Sequence, residues 1–169
     1  VCEDTLIAVL PGGVLKEVPK KEFVYNGTKR ARRDEKIFED KTIDRVKTIL
    51  PFSQSADKIV VSREGTAWYL LAEVSVEEFV QADEWEECRR ALAAGGIIIP
   101  CEKDADSLIC GAKNGDIVRL PADKLCAWQG QRQVVRIGEA PLAAACFCKA
   151  TDDILLISEK GQALRTHVS

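Results

Sequence analysis

Lys58-Ile59-Val60-Val61-Ser62-Arg63-Glu64-Gly65-Thr66-Ala67-Trp68-Tyr69-Leu70-Leu71 is the stretch whose reading decides the fold. It reads as a strand, a tight turn on Glu64-Gly65 and a second strand rich in aromatic and aliphatic residues. Apolar runs on either side of a glycine that can take positive φ are the ordinary signal for a hairpin. The phrase recurs three times: Leu6–Leu10 through Gly12-Gly13 into Val14–Pro19, Leu108–Gly115 into Asp116–Pro121, and Ile154–Gly161 into Gln162–Thr166. Gly13, Gly65, Gly115 and Gly161 anchor the four copies, roughly fifty residues apart, a spacing that marks a repeat architecture. The chain is read as a β-repeat protein.

At 169 residues it is long enough to bury a sizeable core as one domain. A hydrophobic fraction of 46% with 30% charged residues fits a globular chain and argues against a disordered one. No apolar run approaches the roughly 18 residues of a membrane span, and no signal peptide stands at the start. The sequence opens at Val1 rather than Met, which suggests excision from a longer parent. Seven cysteines at irregular positions, with no C-x-x-C pair and a single histidine, His167, point to a reducing compartment. No disulfide and no metal site is expected from them. Cys146 and Cys148 share one face of a strand.

Charge is unevenly placed. The net charge is −3, yet residues 16–36 hold eight Lys/Arg against four Asp/Glu, a local +4 centred on Lys29-Arg30-Ala31-Arg32-Arg33-Asp34-Glu35-Lys36. Basic side chains on an exposed loop are what phosphate contact requires. A strand follows over Thr42–Leu50, with alternating faces. Within the second hairpin Trp68 and Tyr69, as neighbours, face opposite sides, one into the core and the other as a surface aromatic.

Residues 75–94 break the β rhythm. Ser75 with Glu78 is a capping-box signature, and Val76, Phe79, Val80, Cys88 and Leu92 fall near helical spacing. Residues 73–87 hold seven acidic and no basic residues. The spacing predicts one short acidic helix, closed by Gly95-Gly96 and covering a sheet edge. Ile97–Cys101 opens the next strand, Gln131–Ile137 alternates polar and apolar residues as a strand with a basic face, and Ala143–Cys148 reads as a buried strand. The repeat units are about 1–41, 42–96, 97–137 and 138–169, each with about four short strands. Four-stranded units in tandem point to radial, blade-like packing.

On these residues the chain resembles the C-terminal β-pinwheel domain of the A subunit of bacterial type IIA topoisomerases, DNA gyrase and topoisomerase IV. Gly13–Phe23 follows that family's first-blade phrase, Glu39–Val46 resembles the lead into the next blade, and Asp152–Ile157 through Leu164–Ser169 resembles a late blade. The likeness covers about residues 4–74 and 97–169. The resemblance implies an all-β fold: a propeller-like β-pinwheel of about four four-stranded blades in one domain over residues 1–169, with one inserted short helix. It implies a non-catalytic module that binds, bends and wraps double-stranded DNA for a catalytic core elsewhere in the subunit. The implied parent is an ATP-dependent type II topoisomerase using ATP and Mg, working with an ATPase subunit in a heterotetramer, cytoplasmic and nucleoid-associated; this domain carries no cofactor.

The implied DNA contacts are Lys16, Lys20, Lys21, Lys29, Arg30, Arg32, Arg33, Lys36, Arg119, Arg132, Arg136 and Arg165. Neither Tyr25 nor Tyr69 lies in the context of the family's strand-cleaving tyrosine. The gyrase heptapeptide Gln-Arg-Arg-Gly-Gly-Lys-Gly has its counterpart in Lys29–Lys36, which keeps the charge and lacks the glycines. That leans the resemblance toward topoisomerase IV or a divergent gyrase. The alternative is a propeller-like protein-interaction module, for which the net charge and the acidic segment speak.

Overall fold

The computed structural model of the chain describes residues 5–18, 46–126, 131–133 and 139–168. Along the chain the strands are β1 (Thr5–Val9), β2 (Leu15–Val18), β3 (Thr48–Phe52), β4 (Lys58–Val61) and β5 (Thr66–Leu70). After a helical insertion come β6 (Ile97–Pro100), β7 (Ser107–Ala112), β8 (Ile117–Pro121), β9 (Gln131–Gln133), β10 (Leu142–Cys148), β11 (Asp153–Ile157) and β12 (Ala163–His167). The four expected hairpins are present as the antiparallel pairs β1–β2, β4–β5, β7–β8 and β11–β12.

Their turns are built alike. Gly13, Gly65, Gly115 and Gly161 have φ of 84, 85, 94 and 76°, in the left-handed region that an L side chain enters at a cost of about 1–2 kcal/mol. Each glycine N–H donates to the carbonyl three residues back: Leu10 (3.3 Å), Ser62 (3.1 Å), Ala112 (3.0 Å) and Ser158 (2.9 Å). In the second and fourth turns the serine hydroxyl also accepts an amide, from Thr66 at 3.0 Å and Gln162 at 3.1 Å.

The sheets are assembled across the sequence units. Their strand orders are β2-β1-β3, β6-β4-β5-β9, β10-β7-β8 and β11-β12. In the first three, the leading strand of the hairpin is central and takes on its far side a strand from the segment that follows. β6, expected to open the third unit, instead edges the second sheet against β4. Among the described residues only the second sheet has four strands; the first and third have three and the fourth has two, so the uniform four-stranded unit is not seen. The strand expected over Thr42–Leu50 occupies Thr48–Phe52, and residues 42–45 lie outside the described ones.

Period-two alternation decides what each sheet face touches. On the second sheet Val60, Trp68 and Leu70 point one way, into a core with Ile7, Val9, Leu15 and Phe52 of the first sheet. Ile59, Val61 and Ala67 point the other way, into a core with Leu108, Cys110, Ala112 and Leu142. Ile109 and Cys148 then face Val168 and Ile154 of the last sheet. The sheets therefore pack in series, face against face. Trp68 and Tyr69 do lie on opposite sides: Trp68 is buried in the first core, and Tyr69 is half-buried against the second. The Tyr69 hydroxyl bonds the Asp57 carboxylate, so this ring is packed rather than a surface platform.

The single expected helix is two, α1 (Val76–Gln81) and α2 (Glu86–Ala93), joined by a 3-10 turn at Asp83–Trp85. The break is at Ala82, whose backbone is extended at φ −70° and ψ 136°. Arg89 fills it, its guanidinium donating to the carbonyls of Phe79 (2.8 Å) and Ala82 (2.7 Å), the latter also accepting the Trp85 amide at 3.2 Å. Of the expected capping box the serine half forms: Ser75 Oγ accepts from the Glu78 amide at 3.1 Å. Val76, Phe79, Cys88 and Leu92 enter the first core, while the acidic residues face out. Gly95 and Gly96 close α2, donating to Leu92 (3.0 Å) and Ala91 (2.9 Å) in the paired pattern of a left-handed helix stop. A third helix, α3 (Ala122–Cys126), follows β8 and was not expected.

Candidate nucleic-acid interface

Of the twelve candidate DNA contacts, Lys20, Lys21, Lys29, Arg30, Arg32, Arg33, Lys36 and Arg136 lie outside the described residues. Lys16, Arg119 and Arg165 lie on the second strands of the first, third and fourth hairpins; Arg132 lies on β9, opposite Ala67.

Because the four hairpins share one register, these positions can be compared directly. The residue four beyond each turn glycine is Glu17, Tyr69, Arg119 or Arg165, and it stands directly opposite Ile7, Ile59, Ile109 or Leu155. Lys16 is one step earlier, opposite Ala8, and so on the other face of its sheet. The equivalent row thus runs acidic, aromatic, basic, basic. Arg119 and Arg165 share it, Lys16 does not, and Glu17 opposes any uniform positive rim along it.

In three of the four hairpins this side chain bonds the residue eight before the turn glycine. Tyr69 Oη donates to Asp57, Arg119 Nε donates to Ser107 Oγ at 2.8 Å, and Arg165 Nε donates to Asp153 Oδ2 at 2.6 Å. Asp57 also accepts the Ala72 amide at 2.7 Å, and Arg119 Nη1 donates to the Val168 carbonyl at 2.9 Å. His167, across from Asp153, sets its imidazole against the same carboxylate. Arg119 and Arg165 are exposed, and each is also a tie across its own hairpin. Sequence reading missed Ser107, Asp57 and Asp153 as their partners; the shared offset from the turn glycine is the signal that finds them.

The opposite charge has its own surface. Glu73, Glu77, Glu78, Asp83, Glu84, Glu86 and Glu87 are all exposed along α1, the 3-10 turn and α2. Glu86 is paired with Arg90 one turn on. Lys58 contributes nothing to a basic face, because it is fully buried: its Nζ donates to Ser53 (2.7 Å) and Ala56 (3.0 Å) carbonyls and stands 4.6 Å from the centroid of Phe52. Burial lowers its pKa, against the opposing pull of the Asp57 carboxylate.

Cys88, Cys110, Cys146 and Cys148 are free thiols. Burial pushes Cys110 up to about 12 and raises Cys88, Cys146 and Cys148, which holds these sulfurs in the unreactive protonated form. Among the described residues no group of three or more His, Cys, Asp or Glu is arranged to hold a metal ion, and no helix is long and apolar enough to cross a membrane. Searches against protein-family models and curated proteins found no match to the chain.

Proposed function

We propose that the chain is a non-catalytic DNA-binding module that bends duplex DNA, in the manner of the pinwheel domains of type IIA topoisomerase A subunits, with the serially packed sheets as about four blades. The observation that carries this reading is the repetition of one hairpin in one register at four places. It yields a scaffold in which β2 ends at Val18, directly before the residues that carry most of the basic charge of segment 16–36. Lysines and arginines that neutralise phosphates supply sequence-independent affinity, and a chain of such contacts offsets the cost of bending the duplex. The loop Lys29–Lys36 is the principal contact, joined by Lys20, Lys21 and Arg136. The lack of glycines in that loop favours bending over wrapping of fixed handedness, because side chains reach the phosphates where the backbone cannot come close.

The exposed carboxylates of α1 and α2 favour a second reading, a scaffold that docks a basic protein partner. Binding to linear duplex DNA over a range of salt separates the two. The DNA reading expects affinity that falls steeply with salt, by about 0.9 in log–log slope per phosphate contact, and a shallower slope when Arg30, Arg32 and Arg33 are together replaced by alanine. Unchanged affinity and slope in that variant would remove the loop from the interface. An absence of DNA binding at low salt would leave the protein-docking reading.

A further inference from the structure

Among the described residues the shared register exposes one vacancy in the pairing scheme. Ile7, Ile59, Ile109 and Leu155 each stand six residues before a turn glycine. The first three are paired on the side away from their own hairpin, with Leu50 of β3, Ile99 of β6 and Cys146 of β10. Those three are 1%, 2% and 6% exposed; Leu155 is 60% exposed, and Ile157 beside it 69%. Among the described residues, β11 pairs with β12 alone.

The direction of its free groups follows from the hairpin. Ser158 N bonds Gln162 O at 2.9 Å, and Val168 N bonds Asp152 O at 3.2 Å. Alternation along an antiparallel ladder then assigns Ile154 and Leu156 to β12, and aims the N–H and C=O of Asp153, Leu155 and Ile157 at the open edge. Four other edge strands are blunted. β3 carries Pro51, β6 carries Pro100, β8 ends in Pro121, and β10 is bulged between Leu142 and Ala144. Prolines and bulges on edge strands prevent pairing with further strands. β11, Asp-Ile-Leu-Leu-Ile, has neither.

We propose that the open edge of β11 receives an antiparallel strand from a partner polypeptide, whose chemistry the three filled edges specify. Opposite the Leu155 position they place Leu50, Ile99 or Cys146; opposite the next position toward the turn, Ile49, Ile98 or Ala145; opposite the preceding one, Pro51, Pro100 or Phe147. The occupant is therefore an extended apolar segment running against β11, of the form aliphatic-aliphatic-Pro, as in two of the filled edges, or Ala-Cys-Phe, as in the third. Main-chain bonds supply the affinity and the alternating pockets supply the selectivity.

A ten-residue synthetic peptide with the sequence of residues 46–55, which contains the β3 strand, serves as the probe. Titrated into the full chain, it slows amide exchange at Leu155 and Ile157 and leaves Ile154 and Leu156, already bonded to β12, unchanged. Leu155→Pro deletes the outward N–H without touching the hairpin ladder and abolishes the protection. Leu155→Lys, which keeps the backbone intact and puts a charge opposite the incoming aliphatic residue, does the same should the proline variant misfold. No protection at the solubility limit of the peptide overturns the proposal. Concentration-dependent protection without peptide, with dimers in sedimentation, would give the edge to a second copy of this chain and overturn the assignment to a partner.

Discussion

Arg119 reaches back across its hairpin to Ser107, Nε to Oγ at 2.8 Å, from the position that Arg165 uses to reach Asp153 and Tyr69 uses to reach Asp57. One geometry is thus met by three different chemistries. What the repeat preserves is a tie between the start of the first strand and the end of the second, opposite the turn. It closes the second, third and fourth hairpins at their open ends.

The ties differ in burial, and their strengths should differ accordingly. Tyr69→Phe removes a half-buried bond to a carboxylate and should cost about 1.5–3 kcal/mol, because hydrogen bonds to charged groups exceed neutral ones. Asp57→Ala should cost at least as much, since it strands both the Tyr69 hydroxyl and the Ala72 amide. The exposed Arg165–Asp153 pair should be worth about 1 kcal/mol or less. Urea denaturation of Tyr69→Phe and Arg165→Ala tests the order, and equal losses would contradict it.

Glycine substitutions should separate turn strain from close approach. Gly65→Ala and Gly115→Ala each place a side chain at positive φ and should cost about 1–2 kcal/mol. A Cβ at Gly115 meets no atom within 4 Å, so there the loss is backbone strain alone. Gly96 is the contrary case: a Cβ would lie 2.8 Å from the Ala91 carbonyl oxygen and 2.9 Å from that of Val61, forcing α2 away from β4. Gly96→Ala should lower Tm more than Gly115→Ala does, and the reverse order would refute this account.

Much of this architecture was legible in the sequence because it is local. The hairpins follow from alternating apolar residues around glycine, and the Ser75 cap and the Val76–Leu92 stripe from helical spacing. What could not be read is where a strand finds its partner. Ile97–Pro100 and Leu142–Cys148 look like the openings of their own units, yet each edges the preceding sheet, a choice set by packing between sheets. The break at Ala82 was hidden because its repair comes from Arg89, seven residues on. The basic residues were visible one by one, but register alone shows that Lys16 and Arg119 lie on different faces and that Glu17 shares the Arg119 row.

Alkaline pH should weaken the fold through its buried thiols. Burial holds Cys110 up to about 12 from an ordinary 9.0, and raises Cys88 as well. Between those values the unfolded chain has lost these protons while the folded chain keeps them. The stability they confer is complete below pH 9 and is lost as pH rises toward 12. Lys58 acts in the opposite sense: its lowered pKa means that the unfolded state binds the extra proton up to 10.5, so that group alone makes stability rise with pH in that window. The net slope above pH 9 should be negative, with four raised thiols against one amine. Cys110→Ala, though less stable at pH 7, should show a shallower decline from pH 8 to pH 10.5 in urea denaturation under reducing conditions. An unchanged slope would mean that Cys110 ionises without penalty.

The arginines of the loop and those of the hairpin ties should part company when both stability and DNA binding are measured. Arg165 is already neutralised by Asp153, and a phosphate must displace that carboxylate to use it. Arg119 is held on its hairpin by two of its five N–H donors, to Ser107 and the Val168 carbonyl. Arg119→Ala should therefore lower stability by about 1 kcal/mol, the worth of an ordinary hydrogen bond, and leave the salt slope of DNA binding unchanged. Arg30, Arg32 and Arg33 replaced together should do the opposite, with a smaller salt slope and an unaltered Tm. Reversal of Asp34 and Glu35 to lysine should strengthen binding, because two carboxylates then no longer repel the phosphates beside the loop. If Arg119→Ala reduced the slope by about 0.9, one phosphate contact would lie on β8. The hairpin row, rather than the loop alone, would then form part of the DNA path.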